Sequence, residues 1–255
     1  MRTDILEFIE FYQTPLGALA RDYINQRIGE AWGSAKGLTI AGFGHGEPFL
    51  NSFDDANRVI ALAPAGQGVV CWAPNEGNVA CLVGENQWPL RDASVDRLLV
   101  VHGLEETPDP ARLMREIWRV LSDDGRVMFI VAHRRGMWSM IDTTPFAAGR
   151  PYLKRRLNLL LQGAMFRAVR WSSALYFPPF ERKFLFRAAR AWERAGASVW
   201  SGLGGVLLVE AQKDMLTPVG AIRQSARTTM RPVIAPANAT RMEDDAAICE
   251  TKKPQ

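Results

Sequence analysis

Three glycines spaced two apart, Gly42, Gly44 and Gly46, follow the apolar run Leu38-Thr39-Ile40-Ala41. Glycine at such positions lets the main chain turn sharply and approach a ligand with no Cβ in the way. Pro48 comes next, and proline is best tolerated in the first turn of a helix. The pattern predicts strand, glycine turn and helix, a unit that offers unpaired N–H groups and the positive end of a helix dipole to a ligand. Tight turns use the same residues for purely structural reasons, so the motif alone is weak. His102 and His133 are candidates for proton transfer, each after an apolar run, although a histidine that merely closes a strand reads the same way. Histidine and cysteine spacing matches no metal site, so no metal is expected.

The elements around these residues alternate. Strands are expected at Arg58–Ala63, Asn78–Val83, Leu98–Val101 and Arg126–Val131. Asp109-Pro110 opens a helix with Leu113, Met114, Ile117, Val120 and Leu121 on one face, and Asp124-Gly125 is expected to turn into the next strand. Residues 4–31 read as one or two helices, with Thr14-Pro15 as cap and first-turn proline. Strands joined by crossovers make a parallel sheet covered on both faces, and ligands bind beyond its carboxyl edge. That rule gathers Gly42–Glu47, Ala63–Gln67, Gly84–Gln87, His102–Glu106 and His133–Trp138 on one rim.

This order of motifs resembles the class I S-adenosylmethionine-dependent methyltransferases, in particular the methyltransferase type 11 family, from about Gly37 to Lys213. The most specific stretch is Asp92-Ala93-Ser94-Val95-Asp96-Arg97-Leu98-Leu99-Val100-Val101-His102-Gly103-Leu104-Glu105, with Asp109-Pro110 and the Arg115–Leu121 helix after it. The resemblance implies an α/β fold, a doubly wound, mostly parallel seven-stranded sheet whose last strand is antiparallel. Arg170–Leu175 becomes the sixth strand, Arg182–Arg194 a helix and Gly205–Ala211 the seventh strand. It implies S-adenosylmethionine as cofactor, with Gly42, Gly44 and Gly46 near its methionine part, Glu85 and Asn86 near its adenine, and His102 near the transferred methyl. Ala63 stands where the family carries an acid on the ribose hydroxyls, and Ile40 replaces another common acid. Loss of such a charged hydrogen bond weakens affinity by roughly ten- to a hundredfold. A carboxylate from elsewhere, such as Glu47 or Glu76, is the expected substitute.

Methyl transfer from a sulfonium needs alignment and exclusion of water more than acid–base chemistry. A base is needed only for an acceptor of high pKa, and His102 is the catalytic candidate by position. The substrate side is expected after the fifth strand, with His133, Trp138, Tyr176 and Phe177 as candidate contacts. An aromatic wall of this kind suits a small hydrophobic or ring-bearing acceptor, and stiff prolines packing a loop are the alternative. From Arg134 to Arg194 there are 13 Lys or Arg against 3 acids, an excess of +10 where the whole chain has +4. Such a face fits an anionic partner (RNA, a membrane surface or an acidic protein), or is simply solvated. A degenerate methyltransferase fold acting as a binding or regulatory module, and an RNA methyltransferase, are the alternative functions.

With 255 residues, 47% hydrophobic and 23% charged, the chain is expected to be one soluble α/β domain. Its divisions are 1–36 as capping helices, 37–213 as the methyltransferase-like domain, and 214–255 as a flexible tail with no sustained periodicity. No apolar run approaches the ~20 residues of a bilayer span. Asp4, Glu7 and Glu10 argue against a secretory leader, and three cysteines without pairing suit a reduced, cytoplasmic protein.

Overall fold

A computed structural model describes residues 2–72, 78–180, 188–189, 191–196 and 202–215. Glu76, much of the expected 182–194 helix and the tail beyond 215 lie outside the described residues. The sheet has seven strands in the order β3-β2-β1-β4-β5-β7-β6. They are β1 (Thr39–Gly44), β2 (Arg58–Pro64), β3 (Ala80–Val83), β4 (Val95–Val101), β5 (Leu121–Ala132), β6 (Phe166–Ala174) and β7 (Val206–Lys213). The first five pair in parallel, and β7 lies antiparallel between β5 and β6. The doubly wound sheet expected from the sequence is therefore the one observed, and the order of β1 to β5 switches direction beside β1, above whose carboxyl end a ligand hollow belongs.

Two apolar layers explain the continuous apolar strands. Leu99 and Val101 of β4 face a core shared with Ile24, Ile28, Phe49 and Leu50. Leu98 and Val100, one residue out of phase, face a second core with Leu113, Met114, Ile117, Leu157 and Leu161. Helices α1 (Ile5–Gln13), α2 (Pro15–Trp32) and α3 (Glu47–Leu50) contribute to the first layer, and α4 (Pro110–Val120) and α5 (Lys154–Gly163) to the second. Asp4 caps α1 by accepting from Leu6 N, and the Thr14 side chain caps α2 by accepting from Gly17 N. The two helices close on each other at Gly17, where a Cβ would meet Phe11 O at 1.9 Å.

Several boundaries differ from the sequence expectation. Strand β4 starts at Val95 and β6 at Phe166, both earlier than expected, because bulges beside Val95/Arg97 and Ala168/Arg170 break the alternation that marks a strand. Asp124-Gly125 lies within β5 rather than before it. Helix α5 was not expected at all: it buries only Leu157 and Leu161 and opens on Lys154-Arg155-Arg156, so its apolar period is faint.

Candidate functional site

The carboxyl ends of β1, β2, β3 and β4 bring together the glycine turn, Ala63-Pro64, Gly84-Glu85-Asn86 and His102-Gly103. The three glycines serve the chain's own packing here. At Gly44, with φ +90°, a Cβ would lie 2.0 Å from Val101 O. Gly42 and Gly46 back onto one another, a Cβ on Gly46 meeting Gly42 Cα at 3.2 Å, and a Cβ on Gly42 would strike Leu50 at 2.8 Å. These contacts seat α3 on β1. A branched residue at Gly44 would collide with β4 before it reached any ligand.

The space above the turn is filled by the N-terminal segment. The Arg2 guanidinium donates to both carboxylate oxygens of Glu85, at 2.6 Å for the Nη2–Oε2 bond, and to the carbonyls of Gly103 at 2.9 Å and His102 at 3.5 Å. Thr3 donates its N–H and its hydroxyl to Glu106. Phe8 is fully buried, its ring stacked on His45 at 5.2 Å and tilted against His102 at 4.8 Å. Tyr12 stacks on His45 at 5.3 Å and shares a hydrogen bond of 2.9 Å with His102 Nε2. Asp4 sets where α1 begins, and its Phe8, Phe11 and Tyr12 face then falls on the rim. That apolar face was legible in the sequence as a cover; the Arg2 clasp was not, because nothing local distinguishes that arginine.

Beneath the arm lie buried polar groups. Both ring nitrogens of His45, both carboxylate oxygens of Glu47 and both side-chain amide atoms of Gln67 are buried and make no hydrogen bond among the described residues. His45 Nδ1 is 3.3 Å from Glu47 Oε2, out of hydrogen-bonding alignment. A buried polar group left so costs about 1–3 kcal/mol, so these atoms are suited to meet the donors and acceptors of a ligand. Beside them a cavity of about 260 Å³, lined by Tyr12, His45, Glu47, Asn51 and Trp72, remains open. That is below the roughly 300–1,000 Å³ of small-molecule sites.

Burial dominates the electrostatics. It lowers the His102 pKa to about 3, with His45 adding to the effect, so His102 is neutral and a poor base while α1 is in place. Burial also raises Glu105 to about 7; its Oε1 accepts from Ala132 N at 2.9 Å and its Oε2 makes no hydrogen bond among the described residues. The Tyr12 phenol is pushed well above its ordinary value by burial, with the Glu105 charge second.

The four substrate-side residues separate. Trp138 and Phe177 are core: Trp138 is fully buried, donates Nε1–H to Phe177 O at 2.8 Å, and meets Phe11, Phe146 and Phe177 edge-on. His133 and Tyr176 instead line a basic groove at the ends of β5 and β6. His133 Nδ1 lies 3.0 Å from Gly204 O, and burial lowers its pKa. Ala63 is buried and pairs with Leu82, with no acid at that strand end among the described residues. Asn86 sits in the turn after β3, half-buried. No group of three or more potential metal ligands occurs among the described residues.

Sheet order, glycine turn and rim together define the fold of the class I S-adenosylmethionine-dependent methyltransferases. Residues 41–129 match the family model described as "Methyltransferase domain". Solved structures agree in fold. An S-adenosylmethionine-dependent methyltransferase from Thermotoga maritima has TM-score 0.59 at 16% identity over 82% of this chain and 96% of its own. One from Archaeoglobus fulgidus has TM-score 0.56 at 14% identity over 82% and 98%. One from Aquifex aeolicus has TM-score 0.51 at 15% identity over 82% and 98%. At such identities the likeness concerns the fold alone. By sequence, no curated protein matches.

Proposed function

We propose that this chain transfers a methyl group from S-adenosylmethionine to a small, hydrophobic or ring-bearing acceptor, and that the arrangement described above is its closed state, with residues 2–13 lying in the cofactor's place. The observation that carries this reading is the set of buried polar groups under the arm, His45, Glu47 and Gln67, which make no hydrogen bond among the described residues, at the switch point of a methyltransferase sheet. As donors and acceptors these residues suit the cofactor; the space suits it only once α1 has withdrawn. Glu85, released by Arg2, would accept from the adenine amine. Gln67, after β2, and Glu47, in the first turn of α3, would replace the absent acid at Ala63 for the ribose and methionine ends. The cofactor, when bound, supplies a methyl group already activated on a sulfonium.

The chain's own part is to position and to exclude water. Withdrawal of α1 would bare a wall of His45, His102 and Phe146, surfaces on which Phe8 and Phe11 now rest. That these surfaces hold two phenyl rings supports an acceptor with an apolar or aromatic body. Freed of Tyr12 and partly rehydrated, His102 would regain basicity and take a proton from a hydroxyl acceptor. The test is calorimetric titration of the full chain with S-adenosylmethionine and S-adenosylhomocysteine. Saturable binding that exposes the arm to protease is expected, and absence of binding at millimolar ligand overturns the reading.

A further inference from the structure

The rim holds a second concave site, at the opposite edge of the sheet from β3. A groove of about 730 Å³ lies where β5 and β6 end. Four cations line it: Arg27 of α2, Arg135 just past β5, and Lys154 and Arg155 in the first turn of α5. No Asp or Glu lines it among the described residues. Arg27 is shared with Glu30 of its own helix at 3.0 Å, whereas Arg135 and Arg155 are exposed and form no ion pair among the described residues. Glu193 is turned inward, its Oε1 accepting from Tyr176 N at 2.7 Å, and burial raises its pKa. Between the cations stand Trp171 and Tyr176 with the hydroxyl-bearing Ser172 and Ser173, and Lys154 Nζ lies 5.0 Å from the Trp171 ring centre.

Like charges gathered in one concavity repel each other unless something neutralises them. We propose that this groove binds a small phosphorylated molecule, with Arg27, Arg135, Lys154 and Arg155 on its phosphate oxygens and Trp171 and Tyr176 beside its organic part. Arginine forks match phosphate oxygens in pairs, and serine hydroxyls donate to those left over. The volume is that of a small-molecule site rather than of a track for a polymer. The assignment rests on the groove's own residues and stands apart from the methyl-transfer reading.

Inorganic pyrophosphate is the probe, titrated calorimetrically into the full chain at low and at 0.15 M salt, the latter having a Debye length of about 8 Å. Saturable binding is expected, weaker in the higher salt. Arg135→Glu and Arg155→Glu should each weaken it at least about tenfold, the size of one lost charge-assisted contact. The charge-matched control Arg91→Glu, in an exposed turn before β4, should change it less than about twofold on screening grounds. No saturable binding at millimolar pyrophosphate in low salt overturns the proposal. So does equal weakening by Arg91→Glu, which would mean bulk charge alone. A single-stranded RNA that binds through Arg135 and Arg155 where pyrophosphate does not would make the groove a nucleic-acid surface, and the proposal would equally fail.

Discussion

Replacing Arg2 by alanine separates a competing arm from a supporting one. In the closed state the guanidinium meets both oxygens of Glu85 and the carbonyls of His102 and Gly103, and its side chain is 3% exposed against 28% for Glu85. Hydrogen bonds to charged groups contribute about 1.5–3 kcal/mol, and the exposure of Glu85 argues for the lower end. A loss of about 1.5 kcal/mol raises the open fraction roughly tenfold wherever that fraction is small. A ligand that binds only the open form then gains apparent affinity by the same factor. S-adenosylhomocysteine titrated calorimetrically into Arg2→Ala should therefore bind about tenfold more tightly than to the native chain, and amide exchange in residues 5–13 should quicken. Weaker binding by the variant would make Arg2 part of the ligand's site, and unchanged binding would mean that the arm does not compete; either result defeats the argument.

Other outcomes follow from the same geometry. Phe8→Ala removes a fully buried ring from between two histidines, a change of about 3–5 kcal/mol for a core aromatic, and should expose α1 to protease while the sheet stays folded. Gly44→Ala places a Cβ 2.0 Å from Val101 O at a φ of +90°; a loss above about 3 kcal/mol in urea unfolding is expected with or without ligand. Glu105 has a folded pKa of about 7 against an ordinary 4.5, so it holds its proton longer when folded. Its contribution to stability is complete below pH 4.5, falls as pH rises through that window and is lost above 7, by about 3 kcal/mol in all. His102 is shifted the other way, to about 3, and its contribution is lost as pH falls below 6.5. Urea unfolding of Glu105→Gln from pH 4.5 to 7.5 should lack the decline that Glu105 imposes on the native chain and keep the rise that His102 imposes.

The sheet was legible because its strands are long, apolar and punctuated. Leu98–Val101 and Arg126–Val131 read as strands from composition alone, and the Asp109-Pro110 start of α4 is a cap with a first-turn proline. The rim residues followed from topology, since a parallel sheet places its strand ends together. What covers them was not legible. The clasp between Arg2 and Glu85 joins residues 83 positions apart, and long-range charge pairing leaves no local pattern. Trp138 and Phe177 looked like a substrate wall, but aromatic residues near a site and aromatic residues in a core have the same sequence signature. Only the contacts of Trp138 with Phe11, Phe146 and Gly205, where an added Cβ would lie 2.3 Å from its ring, tell them apart. The glycine turn was read for the reach it gives a ligand, whereas its nearest demands come from Val101 and Leu50.

Among the described residues strand β6 has one margin with no strand beside it, and so has β3 at the opposite limit of the sheet. An open margin invites another chain to zip onto its unpaired amides. On β3 that invitation is brief, only four residues long. On β6 it is refused by Arg167 and Arg170, which a second copy would have to meet with the same charges. The cationic side chains along this flank therefore work against two copies pairing along β6.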